Sequence, residues 1–148
     1  MIGFVNFPAF KRRMTKTVPA AITKAASFAM EKGATELVDE MKRVVPEDTG
    51  DLRDSIGWTW GEGGFGTMTT GSVNGRPYET LRVTVFAGNT EATRRSNPTG
   101  PAFDVALIKE FGTTKAPASP FFYTSYRGLR KKIKANNTRA ITKAIRGL

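Results

Sequence analysis

From about residue 19 to residue 45 the apolar side chains Ile22, Ala26, Met30, Ala34, Leu37, Met41 and Val44 recur every three or four positions. That spacing lines them along one side of an α-helix. At about 1.5 Å per residue the helix would run about 40 Å. A rod of that length in a chain of 148 residues is the spine against which the remaining elements must pack. Thr17 is placed to cap its start, with Pro19 in the first turn. Val45-Pro46 ends it, because the residue before a proline is pushed out of helical geometry. Gly33 lies mid-helix, where glycine costs about 1 kcal/mol relative to alanine, so it either permits close packing or marks a bend.

Beyond the spine the period shortens. Trp58 and Trp60 alternate with small residues, as in a strand with one face buried. The run Gly61-Glu62-Gly63-Gly64-Phe65-Gly66, continuing to Gly71, lacks the Lys-Ser or Lys-Thr pair and the following helix of a phosphate loop, and reads as a hairpin tip or insertion loop. Asn74-Gly75 signals a two-residue turn. Residues 79–87 then alternate Leu81, Val83 and Val85 with Thr80, Arg82 and Thr84, a strand with one wet face. Residues 88–100 read as loop, and 103–111 as apolar strand or short helix. From Pro120 a second helix carries Phe122, Tyr126, Leu129, Ile133, Ala140, Ile141 and Ala144 on one side and basic residues round the other. The expected architecture is α+β: a long N-terminal helix, a small mainly antiparallel sheet of three to five strands, and a basic C-terminal helix. Residues 1–17 mix Phe4, Phe7 and Phe10 with Lys11, Arg12, Arg13 and Lys16, and read as an extended arm whose phenylalanines dock on this subunit or a neighbour. Residues 18–148 form a single domain.

Composition narrows the chemistry. The chain has no Cys and no His, which removes disulfides, thiolate metal sites, thiol nucleophiles and the usual proton shuttle near neutral pH. An enzyme is not expected, nor a cofactor or a metal. No apolar run approaches the roughly 18–20 residues of a membrane span, and the first residues lack a signal-peptide pattern, so synthesis in a cytosol without membrane contact is expected. Lys and Arg number 23 against 13 acids, a net charge of +10, which biases encounters toward polyanions. After Glu110 there is no acid, while Lys115, Arg127, Arg130, Lys131, Lys132, Lys134, Arg139, Lys143 and Arg146 follow. This cationic quarter is either a solvated helix face or a surface turned toward DNA or an acidic partner.

Two phrases carry most of the local information. In the first, Val45-Pro46-Glu47-Asp48-Thr49-Gly50-Asp51-Leu52-Arg53-Asp54-Ser55-Ile56, four clustered carboxylates have the composition of a metal site. The pattern equally fits a helix start, with Asp48 or Thr49 as N-cap, Asp51 in the first turn, Leu52 and Ile56 inward, and Arg53 facing out or pairing with an acid. A salt-bridge surface between subunits is the third reading. In the second phrase, Ile108-Lys109-Glu110-Phe111-Gly112-Thr113 leads to Pro117-Ala118-Ser119-Pro120-Phe121-Phe122. Phe111 is expected in the core, and Gly112 in a conformation other residues resist. Glu110 is either a surface carboxylate satisfied by the chain's own Arg and Lys or a salt-bridge partner for the adjacent subunit.

Together these phrases resemble the phage head–tail joining family, small tail-completion or neck proteins of long-tailed viruses. Members of that family are similar in layout: a long N-terminal helix closing on a Val-Pro-x-Asp-Thr-Gly-x-Leu-Arg-x-Ser-Ile phrase, strands, a Glu-Phe-Gly-Thr phrase, and a Pro-Phe phrase opening the last helix. The likeness covers roughly residues 18–146 and rests on Pro46, Asp48, Thr49, Gly50, Leu52, Arg53, Ser55, Glu110, Phe111, Gly112, Pro120 and Phe121. Leu107, Ile108 and Lys109 stand where many members carry aromatic residues. The resemblance implies a structural virion protein at the head–tail interface, completing or terminating the tail. It implies a ring, a hexamer or alternatively a dodecamer, touching the head connector or stopper protein and the tail tube protein. No reaction is implied. In such a ring Arg127, Arg130, Lys131 and Lys134 would face the DNA lumen or a neighbouring ring. The alternative is a non-specific DNA-binding protein whose basic C-terminal helix lies on phosphates, and a carboxylate-dependent hydrolase is a third reading.

Overall fold

The computed structural model describes residues 7–61, 66–70 and 82–148. Phe4, Glu62 to Phe65, Gly71, the Asn74-Gly75 turn and positions 79–81 of the expected strand lie outside the described residues, as do the side chains of Phe7 and Phe10. The chain opens with α1 (Phe7–Arg12), passes through a π-helical segment (Arg13–Thr17) and continues into α2 (Val18–Val44). This corrects two expectations. Residues 7–17 are helical, not extended. Thr17 has helical dihedrals (φ −71°, ψ −48°) and makes no capping hydrogen bond. With helical backbone running on upstream, the first amides of α2 face carbonyls of the preceding turn, so a side-chain cap has nothing to satisfy. The other end follows the proline rule: Val45 is extended (φ −61°, ψ 135°), and its N–H closes the last turn on the Met41 carbonyl.

A single turn, α3 (Asp51–Asp54), leads into β1 (Gly57–Trp60), followed by β2 (Met68–Thr69) and β3 (Val83–Ala87). These three form one sheet in the order β1-β3-β2, both pairings antiparallel, with Trp58 opposite Val85 and Met68 opposite Ala87. The loop expected over residues 88–100 contains β4 (Arg94–Arg95), paired antiparallel with β5 (Phe103–Asp104). The expected strand or short helix at 103–111 is both, because β5 runs directly into α4 (Val105–Phe111). The last helix is α5 (Phe122–Arg146). The fold is therefore α+β, with five short strands among the described residues.

The core lies where α2, α5 and the sheet meet. Leu37, Val38 and Met41 from the C-terminal half of α2, and Val45 just beyond it, pack with Leu52, Ile56, Met68, Val85, Phe121 and Phe122. The wet face expected of β3 is not wet at Thr84, which is 2% exposed. Its hydroxyl donates to the Gly61 carbonyl at 2.6 Å, the partner a buried hydroxyl requires. The N-terminal half of α2 meets α5 through small residues, Ala26, Ala29 and Gly33. A Cβ on Gly33 would sit 2.7 Å from Ile133 Cγ2. Of the two readings of this glycine, close packing is the one the structure bears out.

Candidate functional site

The first phrase builds a turn at the foot of α2. Gly50 is left-handed (φ 85°) and itself occupies the N-cap position of α3, with no side-chain cap. The expectation of Asp48 or Thr49 as N-cap is therefore corrected: the reversal at Gly50 places both outside the helix. Thr49 Oγ1 instead donates to Asp51 Oδ2 at 2.7 Å. Leu52 and Ile56 are buried as expected, and Arg53 is exposed and ion-paired with Glu47. Asp48 Oδ2 lies 3.1 Å from Lys109 Nζ, and Asp51 Oδ2 3.9 Å from an Arg95 guanidinium nitrogen. Among the described residues no three acidic groups are placed to hold a metal. Ser55 is buried and joins the phrase to the sheet, its hydroxyl donating to the Leu52 carbonyl at 2.6 Å and accepting the Gly88 N–H at 2.9 Å.

Two buried carboxylates organise the second half. Asp104, not singled out in the sequence, caps α4: Oδ1 accepts the Ala106 N–H at 2.8 Å, while Oδ2 accepts the Asn89 N–H at 2.6 Å and the Thr67 hydroxyl at 2.7 Å. An Asp directly before the apolar run Val105-Ala106-Leu107-Ile108 was the available signal. Glu110 is 4% exposed, which overturns both readings of it as a surface group. Its Oε2 accepts the N–H groups of Phe121 and Phe122, each at 2.9 Å, and its Oε1 that of Tyr123 at 3.0 Å. A carboxylate thus closes the amide-rich, electropositive start of α5 from inside the molecule. Phe111 is the converse: expected in the core, it is 64% exposed, its ring lying beside that of Tyr123 with centroids 6.1 Å apart. The helical phase explains both, since Glu110 and Phe111 are neighbours on α4 and point about 100° apart. Gly112 has φ 72° and ψ 178°, and a Cβ there would lie 2.6 Å from the Ala118 nitrogen. Pro120 is exposed and delivers Phe121 and Phe122 into the core.

On the surface, α5 is the dominant charged feature. Arg127, Arg130, Lys131 and Lys134 are all exposed and spread over about 100° of the helix circumference. Lys132 ion-pairs with Glu36 across the helix pair. The exposed pair on α2, Arg43 Nη2 with Glu40 Oε1 at 2.7 Å, holds the Glu40 carboxyl below its ordinary range through the Arg43 hydrogen bond. One edge of the α5 stripe borders a groove of about 320 Å³ between α2, the sheet and α5, with Arg130 and Lys134 on its rim. Its walls are largely apolar, from Met30, Leu37, Val83, Val85, Ile133 and Ile141. Asn137 also lines it, with a buried side-chain Oδ1 that has no hydrogen-bond partner. The described residues include no helix long and apolar enough to cross a membrane.

Of the four carboxylates that most suggested chemistry, Glu47, Asp48 and Asp51 stand in ion pairs with Arg53, Lys109 and Arg95, and what faces outward is charge and an apolar groove. These are features of a protein that makes contacts. Residues 9–92, more than half of the chain, match the family described as "Bacteriophage HK97-gp10, putative tail-component", and the chain belongs to that family. The match takes in α2, the first phrase and the three-stranded sheet. No curated protein and no solved structure matches the chain.

Proposed function

We propose that this chain is a non-enzymatic structural protein of the phage neck, completing or terminating the tail and joining it to the head connector as one copy of a ring around the DNA channel. A hexamer is the favoured ring, a dodecamer the other arrangement. Its neighbours in the virion are further copies of itself, the head connector or stopper protein and the tail tube protein. The observation that carries this reading is the exposed cationic stripe of α5, a helix packed against α2, in a chain of a phage tail-component family. In a ring, one stripe per copy lines up by symmetry around the axis or against the next ring, where packaged DNA or acidic partners balance +10 per copy. The capping phrases at Pro46 to Ser55 and Glu110 to Phe121 serve this role by fixing the frame.

Imaging of lysates from a phage lacking this chain tests the role. Full heads beside unattached tails are expected, and intact virions in normal yield would overturn it. Purified protein separates the runner-up: a dedicated DNA-binding protein would hold isolated duplex tightly at low salt and lose it steeply as salt rises, whereas a neck protein binds naked duplex weakly and co-purifies with particles.

A further inference from the structure

Gly33 and Gly128 lie inside the two long helices, and only the first has a reason within the chain. A Cβ on Gly33 would strike Ile133, whereas a Cβ on Gly128 would meet nothing within 4 Å. Glycine inside a helix weakens it relative to alanine, and no packing in this chain calls for it at 128. The surface round it is distinctive. Thr124, Arg127, Gly128 and Lys131 stand at i, i+3, i+4 and i+7, one outward stripe of α5 that runs on through Lys134 and Thr138. All six are exposed. Between Arg127 and Thr138 no large apolar side chain is exposed. Among the described residues no carboxylate pairs with Arg127, Lys131 or Lys134.

We propose that this stripe takes the sugar–phosphate backbone of duplex DNA, with Gly128 as the point of closest approach. Charge and composition together decide the occupant. A face without acids attracts an anion, and a second copy at +10 is repelled from it. Protein interfaces bury aromatic and other apolar anchors and are depleted in Lys, whereas phosphate oxygens are met by Arg, Lys and Thr side chains. With no side chain at 128 a strand can lie close to the helix, and Arg127 and Lys131 reach phosphates on its flank. Such contacts carry no base information, so DNA of any sequence can pass. This inference rests on the neck reading above for the source of the DNA, and it commits the α5 stripe to DNA instead of an acidic subunit. About four phosphate contacts per copy give weak, strongly salt-dependent binding to isolated duplex, which becomes effective only where many copies surround one DNA.

Binding of the purified full-length chain to a short duplex, followed by fluorescence anisotropy through a low-salt titration, tests the contact. The double variant Arg127→Gln/Lys131→Gln is expected to flatten the slope of log affinity against log salt by about two. The same double change at Lys24 and Lys32, two exposed cations of α2, is expected to leave the slope as it was. Gly128→Leu adds a helix-favouring side chain to the stripe, so its thermal midpoint is expected to rise while duplex binding falls several-fold. An equal loss of slope from the α2 pair would overturn the proposal by showing attraction to bulk charge alone. A Gly128→Leu variant that is more stable and binds as tightly as the parent would also overturn it. No binding even at low salt would hand the stripe to an acidic protein surface and leave the neck role standing. Phage particles that assemble normally without the chain would remove the neck reading alone, and the slopes would still decide the contact.

Discussion

Glu110 accepts three main-chain hydrogen bonds from residues 11 to 13 positions further along the chain, and it is the single side chain on which the join between α4 and α5 most depends. Truncation leaves three amides in a buried place with no acceptor. Glu110→Ala is therefore expected to lower unfolding stability by about 3 kcal/mol, and Glu110→Gln, which keeps one oxygen in position, by about 1 kcal/mol. Urea denaturation followed by circular dichroism checks this; a loss below about 1 kcal/mol for the alanine variant would show that water or a neighbouring group replaces the carboxylate. This role was not legible in the sequence. A capping box links residues three apart, whereas here donor and acceptor are separated by a loop, and nothing in a Glu-Phe pair says which of the two turns inward. The same ignorance of helical phase put Phe111 in the core. Gly112 was legible because its reason is local: at φ 72° the left-handed backbone penalises any Cβ.

At the scale of elements, the pairing of α2 with α5 depends on how closely two backbones approach at Gly33. Alanine normally gains about 1 kcal/mol over glycine inside a helix. Here the added methyl would stand 2.7 Å from Ile133 Cγ2, a branch fixed next to the backbone with little room to yield. Gly33→Ala is thus expected to destabilise by about 1–2 kcal/mol. In an Ile133→Ala background, which removes that methyl, the same substitution is expected to stabilise, so a double-mutant cycle should return a coupling of about 1–3 kcal/mol. Equal effects in both backgrounds would show that the helices are not in contact there. The spine itself was plain in the sequence, since a long stripe with period 3.6 and a closing Val-Pro pair is the strongest kind of local signal. Its start was not, because Thr17 resembles a cap whether or not helix precedes it. The two-residue strands β4 and β5 were missed because two residues carry no period at all, and their pairing is decided by where Asp104 is buried.

For the whole molecule, the distribution of charge matters more than its sum. Of the 13 acids, Asp104 and Glu110 are buried as caps, and Glu36, Glu40, Glu47, Asp48 and Asp51 face cations of their own chain. Such exposed pairs contribute little to stability, but they leave the turn at the foot of α2 close to charge balance. On α5 nothing acidic follows Glu110 in sequence, and its cations can be balanced only partly from within. The molecule as a whole is a helix pair packed on a small sheet, with two internal carboxylates capping α4 and α5 and one basic edge facing outward. The most direct measurement is a cryo-electron map of the head–tail junction of the intact particle. It is expected to show copies of this chain as a closed ring around the channel, each touching two sisters, with Arg127, Arg130, Lys131 and Lys134 toward the lumen or the adjoining ring. A map in which the chain is missing from the junction, or present as a single copy touching no sister, would contradict that assignment.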